Sequence, residues 1–219
     1  MPVNTQKYKE IRARLGEQVK LVAVSKMQSV EDIKSLYDLG QRDFGENYVQ
    51  ELLDKQQKLP ADIRWHFIGH LQSNKVKFIV PIIYLIQGID SPKLLAEVNR
   101  QAIKSDRVAD VLLQVHIAQE ETKFGLGAEE LDVILERSAE FSGVRICGLM
   151  GMASFSDNME KIQNELQFLK SLYEKYRSQG SADSSFSLLS MGMSSDYELA
   201  VQEGSNMVRI GSLLFGKRG

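Results

Sequence analysis

The sequence predicts a (β/α)8 barrel, on three observations. Short β-rich apolar runs alternate with amphipathic stretches of helical period, which is the signature of successive βα units and a parallel sheet. Eight such units fall within 219 residues, about 27 residues each, somewhat compact against the ~250 residues usual for this fold. Polar and glycine-rich residues collect at the C-terminal ends of the runs, where this fold carries its functional groups. An open, doubly wound sheet with fewer strands is the competing topology.

The predicted strands are 21–25 (LVAVS), 43–45 (DFG), 65–69 (WHFIG), 82–86 (IIYLI), 111–117 (VLLQVHI), 146–152 (ICGLMGM), 186–190 (FSLLS) and 207–211 (MVRIG). Helical spacing follows them, as with Val30, Ile33, Leu36 and Tyr37 after the first, and Leu131, Ile134 and Leu135 after the fifth. Little more than one helical turn follows the eighth, so an N-terminal helix containing residues 10–18 is expected to cover that gap.

Composition bounds the function. With 43% hydrophobic and 26% charged positions the chain supports one sizeable core, hence one domain over residues 1–219. Twenty-seven basic against 29 acidic side chains leave a net charge of -2, so no global field attracts nucleic acid or an anionic membrane. The single cysteine, Cys147, rules out an internal disulfide framework, and the first ten residues contain no apolar stretch of the signal-peptide kind. A cytoplasmic location is expected. The most apolar run, residues 78–89, is about half the length needed to span a bilayer and contains Pro81. Composition shifts only in the Ser-rich stretch 178–187, which is expected to be a long flexible loop.

The strand ends carry the chemistry. Lys26 directly follows the first run, and by alternation either Lys26 or Ser25 faces the barrel mouth. A lysine turned inward against an apolar wall loses hydration, which favours the free amine that Schiff-base chemistry requires. A lysine bending out to solvent is the simpler alternative. The segments SMGMS and RIGS close the last two runs, where barrels often build a phosphate site from two loops and a helix N-terminus. Glycines allow backbone N–H groups close to an anion, and Ser190, Ser194 and Ser212 offer hydroxyl donors. Ser194 or Ser195 would otherwise serve as N-cap of the helix beginning SSDYELA, which leaves Gly211 and Ser212 unexplained.

Other patterns carry less. Gly211 to Lys217 has the G-x-x-x-x-G-K spacing, but Arg218 replaces the hydroxyl residue and no helix can follow. His66 and His70 are four apart in a strand, hence about 13 Å distant, which excludes a helical zinc pair; no metal site is expected. Cys147 and the methionines of GLMGM and SMGM read as core filler, and KFGL with its neighbouring acidic pair as a solvated loop and helix start.

Taken together, LVAVSKMQS, FGENYVQE, WHFIGHLQSNK, GLMGM and LSMGMSSDYELAVQEGSNMVRIGSLLFG resemble the pyridoxal phosphate homeostasis family, the proline-synthase-co-transcribed group, over residues 20–216. The resemblance implies a single barrel of the alanine racemase N-terminal type, fold-type III, with pyridoxal 5′-phosphate held as an internal aldimine on Lys26. It further implies Asn47 beside the cofactor ring, Ser190, Gly192, Gly211 and Ser212 as phosphate cradle, and Arg209 as partner of the pyridine nitrogen. An arginine there would keep the ring unprotonated and make it a poor electron sink. KFGL departs from the KSGL common in the family. Racemases of this fold add a second domain and a partner subunit's tyrosine, for which no residues remain after Gly216. The expectation is a cytoplasmic, mainly monomeric protein that buffers pyridoxal phosphate and delivers it to apo-enzymes without robust catalysis. The rival is a small amino-acid racemase using Lys26 and a second base such as Tyr48; a regulatory module that reads the cofactor as a signal is a third class.

Overall fold

A computed structural model describes residues 3–118, 124–178 and 185–216. Helix α1 (Thr5–Leu15) leads into β1 (Lys20–Val24), α2 (Val30–Asp38), β2 (Asp43–Glu46), α3 (Val49–Lys58) and β3 (Arg64–Phe67). Next come α4 (Val76–Ile79), β4 (Leu85–Ile89), α5 (Pro92–Lys104), β5 (Ala109–Val115), α6 (Ala128–Glu136) and β6 (Val144–Gly151). The chain ends with α7 (Met159–Ser178), β7 (Leu188–Ser190), α8 (Tyr197–Gln202), β8 (Met207–Ile210) and α9 (Ser212–Phe215). The eight strands are parallel and close in the order β1 to β8, with β8 returning to β1 in the register Val22 opposite Arg209 and Ala23 opposite Ile210. The sequence-predicted (β/α)8 barrel is the observed fold, and the open sheet is excluded.

Helix starts follow local chemistry. Asn4, Ser29 and Ser91 each accept a backbone N–H two or three residues into α1, α2 and α5, and Pro92 occupies the first turn of α5, where its missing N–H would have no partner. The terminal gap is closed as expected: α1 lies against the one-turn α9, and the Asn4 N–H donates to Leu214 O at 2.8 Å.

Seven strands lie within two residues of their predicted bounds, and the fourth is displaced by three, from 82–86 to Leu85–Ile89. The cause is composition: β4 contains Gln87 and Gly88, so an apolar criterion settles on Ile82 and Ile83, which instead finish the turn after α4. The sixth strand begins two residues early, and its pairing with β5 skips one residue between Ile146 and Gly148, a bulge at Cys147. Of the Ser-rich stretch, residues 179–184 lie outside the described residues, as does Lys123 of KFGL.

Alternation along each strand divides the interior in two. One set of side chains, including Ala23, Phe44, Trp65, Phe67, Leu189, Val208 and Ile210, packs outward against the helices in the main core. The other points to the barrel axis. Part of it is apolar, comprising Val22, Leu85, Leu112, Cys147, Met150 and Met207. The rest is polar yet buried: His66, Gln87, Ser190 and Arg209.

Candidate active site at the C-terminal mouth

Because all eight strands run the same way, every strand's C-terminal end opens on one mouth, including the ends of β1 and β8 that hold Lys26 and Gly211. Val22 points to the axis and Ala23 to the helices, so alternation directs Ser25 outward and Lys26 inward. The bonds agree: Ser25 Oγ is fully buried and donates to Glu46 Oε1 at 2.6 Å, on the helix side of the sheet. Lys26 is half-buried at the rim and is in contact with its surroundings.

On β2 the same parity places Gly45 inward, Glu46 outward and Asn47 inward. A Cβ on Gly69 would lie 2.8 Å from Asn47 O and 2.9 Å from its Cα, so glycine there lets the two loops touch. Asn47 Oδ1 is buried and has no hydrogen-bond partner among the described residues. An orphaned amide oxygen at the mouth is a group waiting for a donor.

The last two strands build a cup. Gly192 has φ +97°, and a Cβ there would meet Ala200 Cβ at 2.6 Å, so only glycine permits this turn against α8. The Gly211 N–H donates to Ser194 Oγ at 3.3 Å, and the Arg209 N–H donates to Gly192 O at 3.0 Å, which ties the two loops together. A Cβ on Gly211 would lie 3.3 Å from Val24 O, two residues before Lys26. Ser212 is exposed at the start of α9. The cap of α8 differs from expectation: Asp196, not Ser194 or Ser195, is its N-cap, and Asp196 Oδ1 accepts the Met193 N–H at 2.7 Å. That frees Ser194 for its bond to Gly211.

Ser190 also differs from expectation. Its Oγ is fully buried, accepts from Arg209 Nη1 at 2.6 Å and donates to Gln87 Oε1 at 2.7 Å. A hydroxyl has one proton, and this one is already given away, so Ser190 cannot donate to an anion. It belongs instead to a chain that crosses the barrel. Gln87 Nε2 lies 3.0 Å from His66 Nδ1, His66 Nε2 lies 3.0 Å from Asp43 Oδ1, and Arg64 grips both oxygens of Asp43. Arg209 Nη2 also donates to Gly151 O at 2.9 Å. Burial lowers the Arg209 pKa to about 10, partly countered by the Asp196 charge, so the guanidinium remains cationic at neutral pH. Burial likewise lowers His66 despite Asp43, leaving a neutral ring. For Asp43, burial works toward protonation, but the bonds from Arg64 and His66 prevail and hold it well below the usual carboxylate range.

Of the sequence-predicted residues, Lys26, Asn47, Gly192, Ser194, Arg209, Gly211 and Ser212 converge on this one end, and Ser190 lies beneath it. Sequence reasoning missed Asp43, Glu51 and Lys55, and it read Glu46 and Gln87 as polar strand-end residues without giving either a role. Gln87 had a signal, a polar residue inside an apolar run. The KFGL segment is only partly the solvated loop expected: Phe124 is exposed, its ring stacked on that of His70 with centroids 4.3 Å apart, and a helix starts at Ala128, but Leu126 is buried. Cys147 is a core residue as expected, its thiol pushed up to about 11 by burial. Met150 and Met191 are buried filler.

Residues 5–219 match the family described as alanine racemase, N-terminal domain. A pyridoxal phosphate homeostasis protein from Aquifex aeolicus is 39% identical over 209 residues, covering 94% of this chain and 91% of its own, and one from Homo sapiens is 40% identical over 212 residues, covering 92% and 77%. The structure of PipY from Synechococcus elongatus with PLP bound superimposes with a TM-score of 0.88 at 34% identity, covering 96% of this chain and 99% of PipY. An alanine racemase from Clostridium difficile, 17% identical with a TM-score of 0.80, shares the fold, and this chain covers 56% of it. The chain therefore belongs to the alanine racemase N-terminal domain family and, within it, to the pyridoxal phosphate homeostasis proteins.

Proposed function

We propose that this protein binds pyridoxal 5′-phosphate reversibly through Lys26 and serves as an intracellular store and donor of the cofactor, without robust catalysis. One observation carries the reading: the inward-facing Lys26 and the glycine cup of the last two strands share one mouth, with Gly211 against Val24. An amine and an anion cup on adjacent strands suit one molecule that has an aldehyde and a phosphate arm.

The residues present fit that group. The cup would take the phosphate on the backbone of Gly192, Gly211 and Ser212 and on Ser194; Asn47, with its orphaned oxygen, would lie beside the ring. Arg209, a permanent cation with donors beyond the two used by Ser190 and Gly151, would donate to the ring nitrogen. When bound, the cofactor supplies an aldehyde that links reversibly to an amine and a ring able to accept electrons. An arginine facing the nitrogen keeps a proton off it and weakens that electron demand, which favours carriage over carbanion chemistry. The names of the relatives support the same reading, as does the PLP bound to PipY. Tyr48, the second base of a racemase reading, is 55% exposed, at the start of α3.

The reading takes the whole chain as one domain, working as a monomer in the cytoplasm, with apo-enzymes as recipients. No helix among the described residues is long and apolar enough to cross a membrane, in keeping with that. The test is chemical. Purified protein incubated with pyridoxal phosphate and reduced with borohydride should yield one modified peptide, containing Lys26, and Lys26→Ala should lose the visible absorbance. A variant that keeps an equal band refutes the assignment.

A further inference from the structure

The peptide units on both sides of Lys26 are gripped by one helix. From α3, Lys55 Nζ donates to Ser25 O at 2.7 Å, while Glu51 Oε1, one turn earlier on the same helix, accepts the Met27 N–H. The two grips are joined: Lys55 Nζ also donates to Glu51 Oε1 at 2.5 Å and to Glu46 Oε1 at 2.8 Å, and Glu46 in turn accepts from Ser25 Oγ. Between the grips the chain turns sharply, with Met27 at φ +60°, a conformation that a residue bearing a Cβ keeps only where its surroundings hold it.

Glutamate and lysine four apart on a helix are ordinary surface partners. This pair is not on the surface. The Lys55 side chain is 5% exposed and that of Glu46 is fully buried. Removing such charges from water is unfavourable unless every contact is well made. Here the contacts that compensate are directed at residues 25 and 27, immediately flanking Lys26, from the helix side of the sheet.

We propose that Lys55 and Glu51 are positioning residues that hold the backbone at residues 25 and 27, so that the Lys26 amine is presented to the mouth from one fixed Cα. The inference rests on the reading of Lys26 as the linking amine. Neither residue reaches the mouth itself; each acts through the peptide it binds. A fixed amine meets a bound aldehyde without first paying the entropy of a search.

The test uses the full chain and two readouts. Hydrogen exchange at the Met27 amide is measured in cofactor-free protein, and the rate of borohydride-trappable linkage is measured with saturating pyridoxal phosphate. Glu51→Ala, the milder change because its side chain is partly exposed, should speed Met27 exchange and slow linkage, each by at least about tenfold. Glu51→Gln keeps an acceptor oxygen and should recover much of both, which a general loss of stability would not do. Lys55→Met should reproduce the Glu51→Ala pattern if it folds. Linkage and exchange within twofold of the parent in Glu51→Ala overturn the proposal. Should Lys26→Ala link as fast as the parent, the reading of Lys26 fails, while the exchange rate still decides whether the grip exists.

Discussion

Within the barrel, each hydrogen bond of the buried chain has its direction forced. Arg209 can only donate, so Ser190 Oγ accepts from it and must spend its proton on Gln87 Oε1; the Gln87 amide then donates to His66 Nδ1, which places the His66 proton on Nε2 toward Asp43. A second proton on His66 would set N–H against N–H at Gln87. Its pKa is below the ordinary 6.5 in the folded state, so the unfolded chain binds a proton that the folded one refuses. Stability from this residue is therefore full above pH 6.5 and declines as pH falls from there through the folded value, by up to about 1.4 kcal/mol per pH unit. Urea titrations at pH 7.5, 6.5 and 5.5 should show that slope, and His66→Gln, which keeps one donor and one acceptor but cannot titrate, should flatten it. An equal slope in both proteins would remove His66 as its source. Lys26 was legible in the sequence because it directly follows a run of clear period, whereas Asn47 and Arg209 were assigned roles only through the family resemblance. Ser190 was misread because only its neighbours decide where one hydroxyl proton goes.

Elements position these residues, and two loops matter most. Gly192 turns with φ +97° against α8, and Gly211 packs against β1. Gly192→Ala would force a Cβ into Ala200 and hold a side chain in left-handed backbone, at a cost of roughly 1–3 kcal/mol. Denaturant unfolding should register that loss. A spectrophotometric titration should also show affinity for pyridoxal phosphate falling far more than affinity for pyridoxal, which lacks the phosphate; equal loss for both would move the anion site elsewhere. At α3, Lys55→Met strips Glu46 of its counter-charge and is expected to destabilise by about 3–5 kcal/mol, the usual range for breaking one side of a buried pair, measured in the same way. Strand existence was readable from apolar runs, but the position of β4 was not, since the barrel interior recruits Gln87 for hydrogen bonds to His66 and Ser190, 21 and 103 residues away.

Across the whole molecule, the question is what the mouth does with its cofactor. If it is a carrier, amino acids incubated with the loaded protein in heavy water should keep their α-hydrogen, as followed by proton NMR; exchange at enzyme-like rates would favour the racemase reading instead. Sedimentation velocity of the loaded protein should give a single species of 24.7 kDa, as a monomer requires.

By itself, the sequence determined the alternation of strand and helix, the count of eight units within 219 residues, and the residues at the strand ends, because period and chain length are local and additive quantities. The tertiary structure alone decided that Ser25 turns to the helix side of the sheet, that Ser190 supports Arg209 rather than an anion, and that Lys55 is buried behind the first strand. Each of these depends on contacts between residues 19 to 103 positions apart. Donor and acceptor capacity is written in a side chain, but its direction is set by whichever partner the closed barrel brings alongside.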